Sequence, residues 1–149
     1  MNAFDIGSAI KVVSGKGGRA VAAGAGDATE VDGFWIDRRG YQSCKAGVVG
    51  SAVLTEAATI TVAFNLQDAD DAAGANAADY GDAHAAAIAA TGGTGGTTEP
   101  IAVADSFNLS SARRYIRIQH TPNLSAGATD TSTVAGVIVL GGANAEPAV

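Results

Sequence analysis

The sequence predicts an all-β protein: a β-sandwich or jelly-roll-like single domain over residues 31–149, preceded by a flexible N-terminal arm over residues 1–30. Three observations carry this. Apolar and polar residues alternate with period two in several short runs, Gly-, Ala- and Thr-rich loops separate those runs, and no segment holds a long helical apolar stripe. With 149 residues the chain can bury roughly two thirds of its unfolded surface in one core. Hydrophobic residues make up 47% but aromatics only 5%, so the large core side chains are confined to the predicted strands.

The elements follow in order. Residues 1–30 are rich in Gly and Ala and offer only Phe4, Ile6, Ile10, Val12 and Val13 as anchors, which reads as an arm with at most one short strand. FWIDRRGYQSCKAGVV reads as a hairpin, two strands around an Asp37-Arg38-Arg39-Gly40 turn in which Gly40 takes a positive φ. Thr59 to Leu66 is the clearest strand, with Ile60, Val62, Phe64 and Leu66 on one face. The Ala-rich second half of residues 67–90 favours one or two helical turns on intrinsic propensity.

Thr91 to Thr98 reads as a flexible loop, and Ile101, Val103, Phe107 and Leu109 mark a return strand with Pro100 at its edge. Arg113 to His120 alternates again, giving a strand with one polar face. Pro122 to Thr133 reads as a loop, and VAGVIVLGG as a last buried strand that Gly141 and Gly142 terminate.

Charge and cysteine usage bound the function. The net charge of −6 argues against sequence-independent nucleic-acid binding, which needs Lys and Arg to displace phosphate counterions. Residues 51–112 carry eight acidic and no basic side chains, as a solvated outer surface would. The single cysteine, Cys44, excludes an intrachain disulfide framework and is expected as a small buried strand residue. No basic-then-apolar leader and no run of eighteen apolar residues is present, so synthesis in the cytoplasm is expected, with no membrane span.

No fragment meets the requirements of catalysis or cofactor binding. SGKGGR at residues 14–19 lacks the Ser or Thr after lysine that a phosphate loop uses for magnesium. Asp68, Asp70 and Asp71 begin like a calcium loop, but Ala72 and Ala73 stand where the next ligand and the turn glycine belong. His84 and His120 are 36 residues apart and are expected at exposed or strand-edge positions. There is no GxSxG elbow. Arg113, Arg114 and Arg117 present guanidinium groups suited to a carboxylate surface, or simply to a solvated strand face. The expectation is a non-enzymatic chain without cofactor or metal.

Four pieces in fixed order give a resemblance. Asp37-Arg38-Arg39-Gly40-Tyr41, Leu66-Gln67-Asp68-Ala69-Asp70-Asp71, Arg114-Tyr115-Ile116-Arg117-Ile118 and Val137-Ile138-Val139-Leu140-Gly141 occur over residues 33–142. Together they resemble a group of small structural proteins encoded among the head-morphogenesis genes of tailed bacteriophages. The Ala- and Gly-rich stretch between Ala72 and Pro100 is longer than in that pattern.

The resemblance implies a virion protein, with a capsid decoration or cement subunit on the capsid exterior as the leading reading. Its implied partners are the major capsid protein and further copies of itself, a trimer being favoured. The expected contact residues are Phe4, Ile6, Ile10, Lys11, Lys16, Arg19, Arg38 and Arg39, placed toward a negatively charged shell. The alternatives are a head-tail connector or tail component, and a carbohydrate- or receptor-binding module using exposed aromatics among Trp35, Tyr41 and Tyr80.

Overall fold

Nine strands, and two antiparallel sheets facing each other, account for the alternating runs. The computed structural model describes residues 9–125 and 129–144. The strands are β1 (Lys11–Val21), β2 (Val31–Asp32), β3 (Ile36–Asp37), β4 (Tyr41–Leu54), β5 (Thr59–Ala69), β6 (Ala78–Thr91), β7 (Thr97–Asn108), β8 (Tyr115–Leu124) and β9 (Thr131–Ala143). One sheet has the order β1-β9-β4-β7 and the other β2-β8-β5-β6, with β3 also paired to β8. The chain is an all-β sandwich. Its core lies between the sheets, where Val48, Ile60, Val62, Leu66, Ile116, Ile118, Ile138 and Leu140 are fully buried.

β5 keeps the alternation read from the sequence, burying Ile60, Val62, Phe64 and Leu66, and carries it on to Asp68 before ending at the buried Ala69. β7 is the edge of its sheet, so Pro100 opposite Ser51 costs no ladder bond to a further strand. Cys44 is buried in β4 as expected.

Four expectations are corrected. From Lys11 onward the predicted arm is a strand. β1 pairs with β9 from Lys11↔Leu140 to Val21↔Thr131, with a register shift between Ser14 and Gly17. The glycines there serve close approach more than freedom, since a Cβ on Gly15 would lie 2.8 Å from the Gly136 carbonyl oxygen. Phe4 and Ile6 lie outside the described residues.

The predicted hairpin at Asp37–Gly40 is instead a corner between sheets. Gly40 has the positive φ (+91°), but β3 pairs with β8 while β4 enters the other sheet. The cause is local: the Arg38 amide donates to the Arg114 carbonyl, and Arg38 Nη2 to that of Ala112, which holds this segment on β8.

The Ala-rich segment is not helical. β6 pairs with β5 from Thr59↔Thr91 to Asp68↔Ala78, so ladder bonds to an apolar strand outweigh alanine's helix propensity. Three register shifts in this pairing kink β6, which discourages further pairing at this exposed edge. Finally, β8 extends through Pro122 to Leu124, and β9 starts at Thr131, inside the predicted loop.

Candidate functional site

Arg113, just before the third motif piece, and Arg114 and Arg117 within it bind carboxylates and amide carbonyls of their own chain. Arg113 donates from its backbone N (2.9 Å) and Nε (2.9 Å) to the buried Asp68 carboxylate, and from Nη1 to the Asn76 carbonyl. Arg114 Nη2 lies 2.6 Å from Asp37 Oδ2, and this guanidinium holds the Asp37 carboxyl below its usual range. Arg117 donates to Gln67 Oε1 at 2.8 and 3.0 Å, pairs with Asp32 at 3.0 Å and stacks 4.6 Å over Trp35. Three of the four motif pieces thus meet on and beside β8.

Asp70 and Asp71 are likewise occupied. Asp71 Oδ1 accepts from the Ala73 and Ala75 amides (2.9 and 3.0 Å), and Asp70 Oδ2 from Asn76 Nδ2 (2.7 Å), so both carboxylates shape the β5–β6 turn. Gly74 in that turn has φ +84°, and a Cβ there would lie 2.6 Å from Trp35 Nε1. Among the described residues no group of three or more His, Cys, Asp or Glu is placed to hold a metal ion. Among the described residues no helix is long and apolar enough to cross a membrane.

The outer surfaces of the two sheets differ in kind. On β2-β8-β5-β6 part of the outward face is a polar network, while Ile88 on β6, opposite Thr61, is 64% exposed beside it. Asp79 accepts from Asn65 (2.9 Å) and Gln67 (2.8 Å), Asn65 donates to Gln119 (3.1 Å), and Gln119 donates to Glu30 (2.9 Å) and Asp32 (2.5 Å). This face satisfies its own polar groups and carries an excess of carboxylates over Arg117.

Register places a different set on the outward face of β1-β9-β4-β7: Val12, Arg19, Lys45, Val49, Ser51, Val53, Ala102, Ala104, Thr133, Ala135, Val137 and Val139. Val12, Val49 and Val53 are 67%, 42% and 50% exposed. The charges of this face are Arg19 and Lys45, both positive; neither is ion-paired among the described residues. It is a mildly apolar, basic surface with little internal hydrogen bonding.

The expected contact residues divide between places. Lys11, Lys16 and Arg19 lie along β1 and are exposed, and Ile10 is half-buried just before it beside Cys44 and Leu140. Arg38 is half-buried, and its guanidinium donates to the carbonyls of Tyr41, Ala112 and Arg113. Arg39 stands at the same corner, exposed and 3.9 Å from Asp37. The structure brings Lys16 and Arg19 together and leaves Arg38 and Arg39 elsewhere.

Lys45, Val49 and Val53 were missed. Their alternation with Cys44, Ala46, Val48, Ala52 and Leu54 is visible in the sequence, but valine on both faces hides which side is buried.

His84 lies on an edge strand as expected, and His120 does not. His84 on β6 stacks on Phe64 at 4.6 Å and lies 2.7 Å from Asp105 on β7, linking the two sheets. His120 faces inward on β8, 1% exposed, and neither ring nitrogen has a hydrogen-bond partner. Burial pushes its pKa below the ordinary histidine value.

No family model and no curated protein matches this chain. Among solved structures, it is similar to the chain of a T=1 particle derived from infectious bursal virus (TM-score 0.44, 10% identity, 93% of this chain and 32% of that one). It is similar to the Gx strain of infectious bursal disease virus (0.43, 13%, 94% and 35%). It also resembles the SPBc2 prophage-derived protein YomS (0.37, 8%, 84% and 94%). The chain spans about a third of the viral chains it matches.

Proposed function

We propose that this chain is a structural protein of a tailed-phage particle, a decoration or cement subunit that lays the outward face of β1-β9-β4-β7 on the major capsid protein. The observation that carries the reading is the contrast between the two faces. One saturates its polar groups internally and carries the acidic excess, as a solvent-facing surface does. The other exposes Val12, Val49 and Val53 with only Arg19 and Lys45 as charges.

Covering each of those valines contributes about 1 kcal/mol, which is weak for one subunit. Association of copies around a symmetry axis multiplies such contacts into stable attachment, which is why a homo-oligomer, a trimer in the leading form, belongs to the proposal. The motif resemblance supports a phage origin. The sugar-binding alternative is disfavoured, because Trp35 is covered by Arg117 and Gly74, Tyr41 is buried, and Tyr80 donates to the Asn108 carbonyl (2.6 Å).

The test is to titrate the purified protein onto emptied heads of the encoding phage, stripped of surface proteins, and count and image the bound copies. Hundreds of copies in a lattice on the shell are expected. About a dozen at one vertex would replace decoration by a connector role, and no binding would overturn the virion reading.

A further inference from the structure

The two open edges of the sandwich are closed differently. Where β6 and β7 meet, His84–Asp105 and the Tyr80 hydroxyl on the Asn108 carbonyl stitch the sheets together. At the opposite edge, β1 and β2 leave a pocket of about 400 Å³, with Lys16, Gly17, Gly18 and Arg19 on one side and Glu30, Val31 and Asp32 on the other. Gly26, Thr29, His120, Pro122 and Val134 complete its lining. Gly136 makes the ring's place: a Cβ there would lie 3.5 Å from His120 Nδ1 and 2.6 Å from an Ile118 methyl.

We propose that this pocket binds an aliphatic carboxylate. Three features select that chemistry. A buried imidazole with both nitrogens unpartnered costs about 1–3 kcal/mol, which a ligand oxygen accepting from its N–H relieves. The balance of charge at the mouth is positive by one: Arg117 neutralises Asp32, the neutral amide of Gln119 leaves Glu30 charged, and Lys16 and Arg19, without an ion pair among the described residues, outweigh it. Val31, Pro122 and Val134 offer an apolar wall to a short carbon stem.

An ionised carboxylate is acceptor-only, so it favours the imidazolium, which donates from both nitrogens. Binding therefore takes up a proton and weakens as pH rises. The charged groups around the ring are Lys16 and Arg19 on β1 and Glu30 and Asp32 at β2. Phe64, opposite on β5, and Gly136 on β9 are uncharged. The carboxylate has two sources, a glutamate side chain of a docked partner or a free small acid. Only the first rests on the docking reading.

The test uses the full chain with isotope-labelled histidine, following the His120 ring by NMR at constant ionic strength. Butyrate is titrated against butyramide and sodium chloride, with His84 at the far edge as internal reference. A saturable His120 shift with butyrate alone, weakened up to about tenfold by Lys16→Gln/Arg19→Gln at the exposed mouth, is expected. No saturable shift, an equal response to butyramide or chloride, or unchanged affinity in the double variant would overturn the proposal.

A second arm compares butyrate with N-acetyl-glutamate amide. Tighter binding of either supports the site and assigns its source. Because isolated protein is used, failure here leaves shell docking standing, and failure of shell docking leaves this site standing.

Discussion

Asp68→Asn isolates the ion pair that ties the second sequence motif to Arg113, the residue just before the third. Asp68 accepts from the Arg113 backbone N and Nε, and Arg113 Nη2 lies 2.6 Å from Asp68 Oδ1. Breaking a fully buried pair costs about 3–5 kcal/mol, because the surviving charge is left uncompensated. Here the Arg113 side chain is 30% exposed, so water and the Asn76 carbonyl relieve part of that cost. The substitution conserves volume and one acceptor, which brings the expected loss to about 2–3 kcal/mol. That corresponds to a fall in Tm of roughly 5–10 °C for a chain of this size.

Urea unfolding followed by the fluorescence of Trp35, the sole tryptophan, measures the loss directly, with an unchanged m-value expected. A cycle with Arg113→Met should give a coupling of about 1.5–3 kcal/mol. A loss under about 1 kcal/mol, or additive single changes, would refute the claim that this pair locks β5 to the start of β8.

Three further predictions follow from burial and backbone geometry. His120 is buried neutral with its pKa lowered, so the unfolded chain binds more protons just below its ordinary value of 6.5; stability should fall as pH drops through and below that value. His120→Gln should flatten that slope in urea melts between pH 7.5 and 5, and an unchanged slope would contradict the assignment. Burial pushes the Cys44 thiol up to about 12, so a thiol reagent at pH 8 should label it only as fast as the protein opens; immediate labelling of native protein would be contrary. Ala57 sits at φ +62°, where an L-residue costs roughly 1–2 kcal/mol, so Ala57→Gly should raise stability by about 0.5–1 kcal/mol in the same melts; a loss would contradict the strain.

The sequence made the strongly periodic strands legible. Residues 59–66 alternate because one face of β5 meets the core and the other meets water, and that pattern survives in any all-β context. β1 and β6 were hidden for the same reason as each other. Both are edge strands whose small residues, Gly15, Gly17 and Gly18 in β1 and alanine at half the positions of β6, blur the alternation, so their strand character comes from pairing with β9 and β5.

The motifs were legible as order and spacing, but their residues turn out to hold the fold: Asp37–Arg114 and Gln67–Arg117 join motif pieces, and Asp68 pairs with Arg113 just before the third. The arginines were read as suited to carboxylates, and they bind them, within one chain. The basic, valine-bearing face could not be read ahead of register, since Arg19, Lys45 and Val49 come together only when β1, β9 and β4 align. His120 was read as exposed or at a strand edge because a buried, unpartnered imidazole is uncommon.

The most direct test of the central claim compares the two faces in one shell-binding assay. Lys45→Glu/Val49→Glu reverses charge and adds a carboxylate on the β1-β9-β4-β7 face, and Asp79→Lys makes a comparable change on the other, with circular dichroism confirming that both variants fold. If the account holds, the first variant loses at least about tenfold in affinity for stripped heads, while Asp79→Lys binds within about twofold of the parent chain. Loss confined to Asp79→Lys would contradict it and place the docking surface on the polar face.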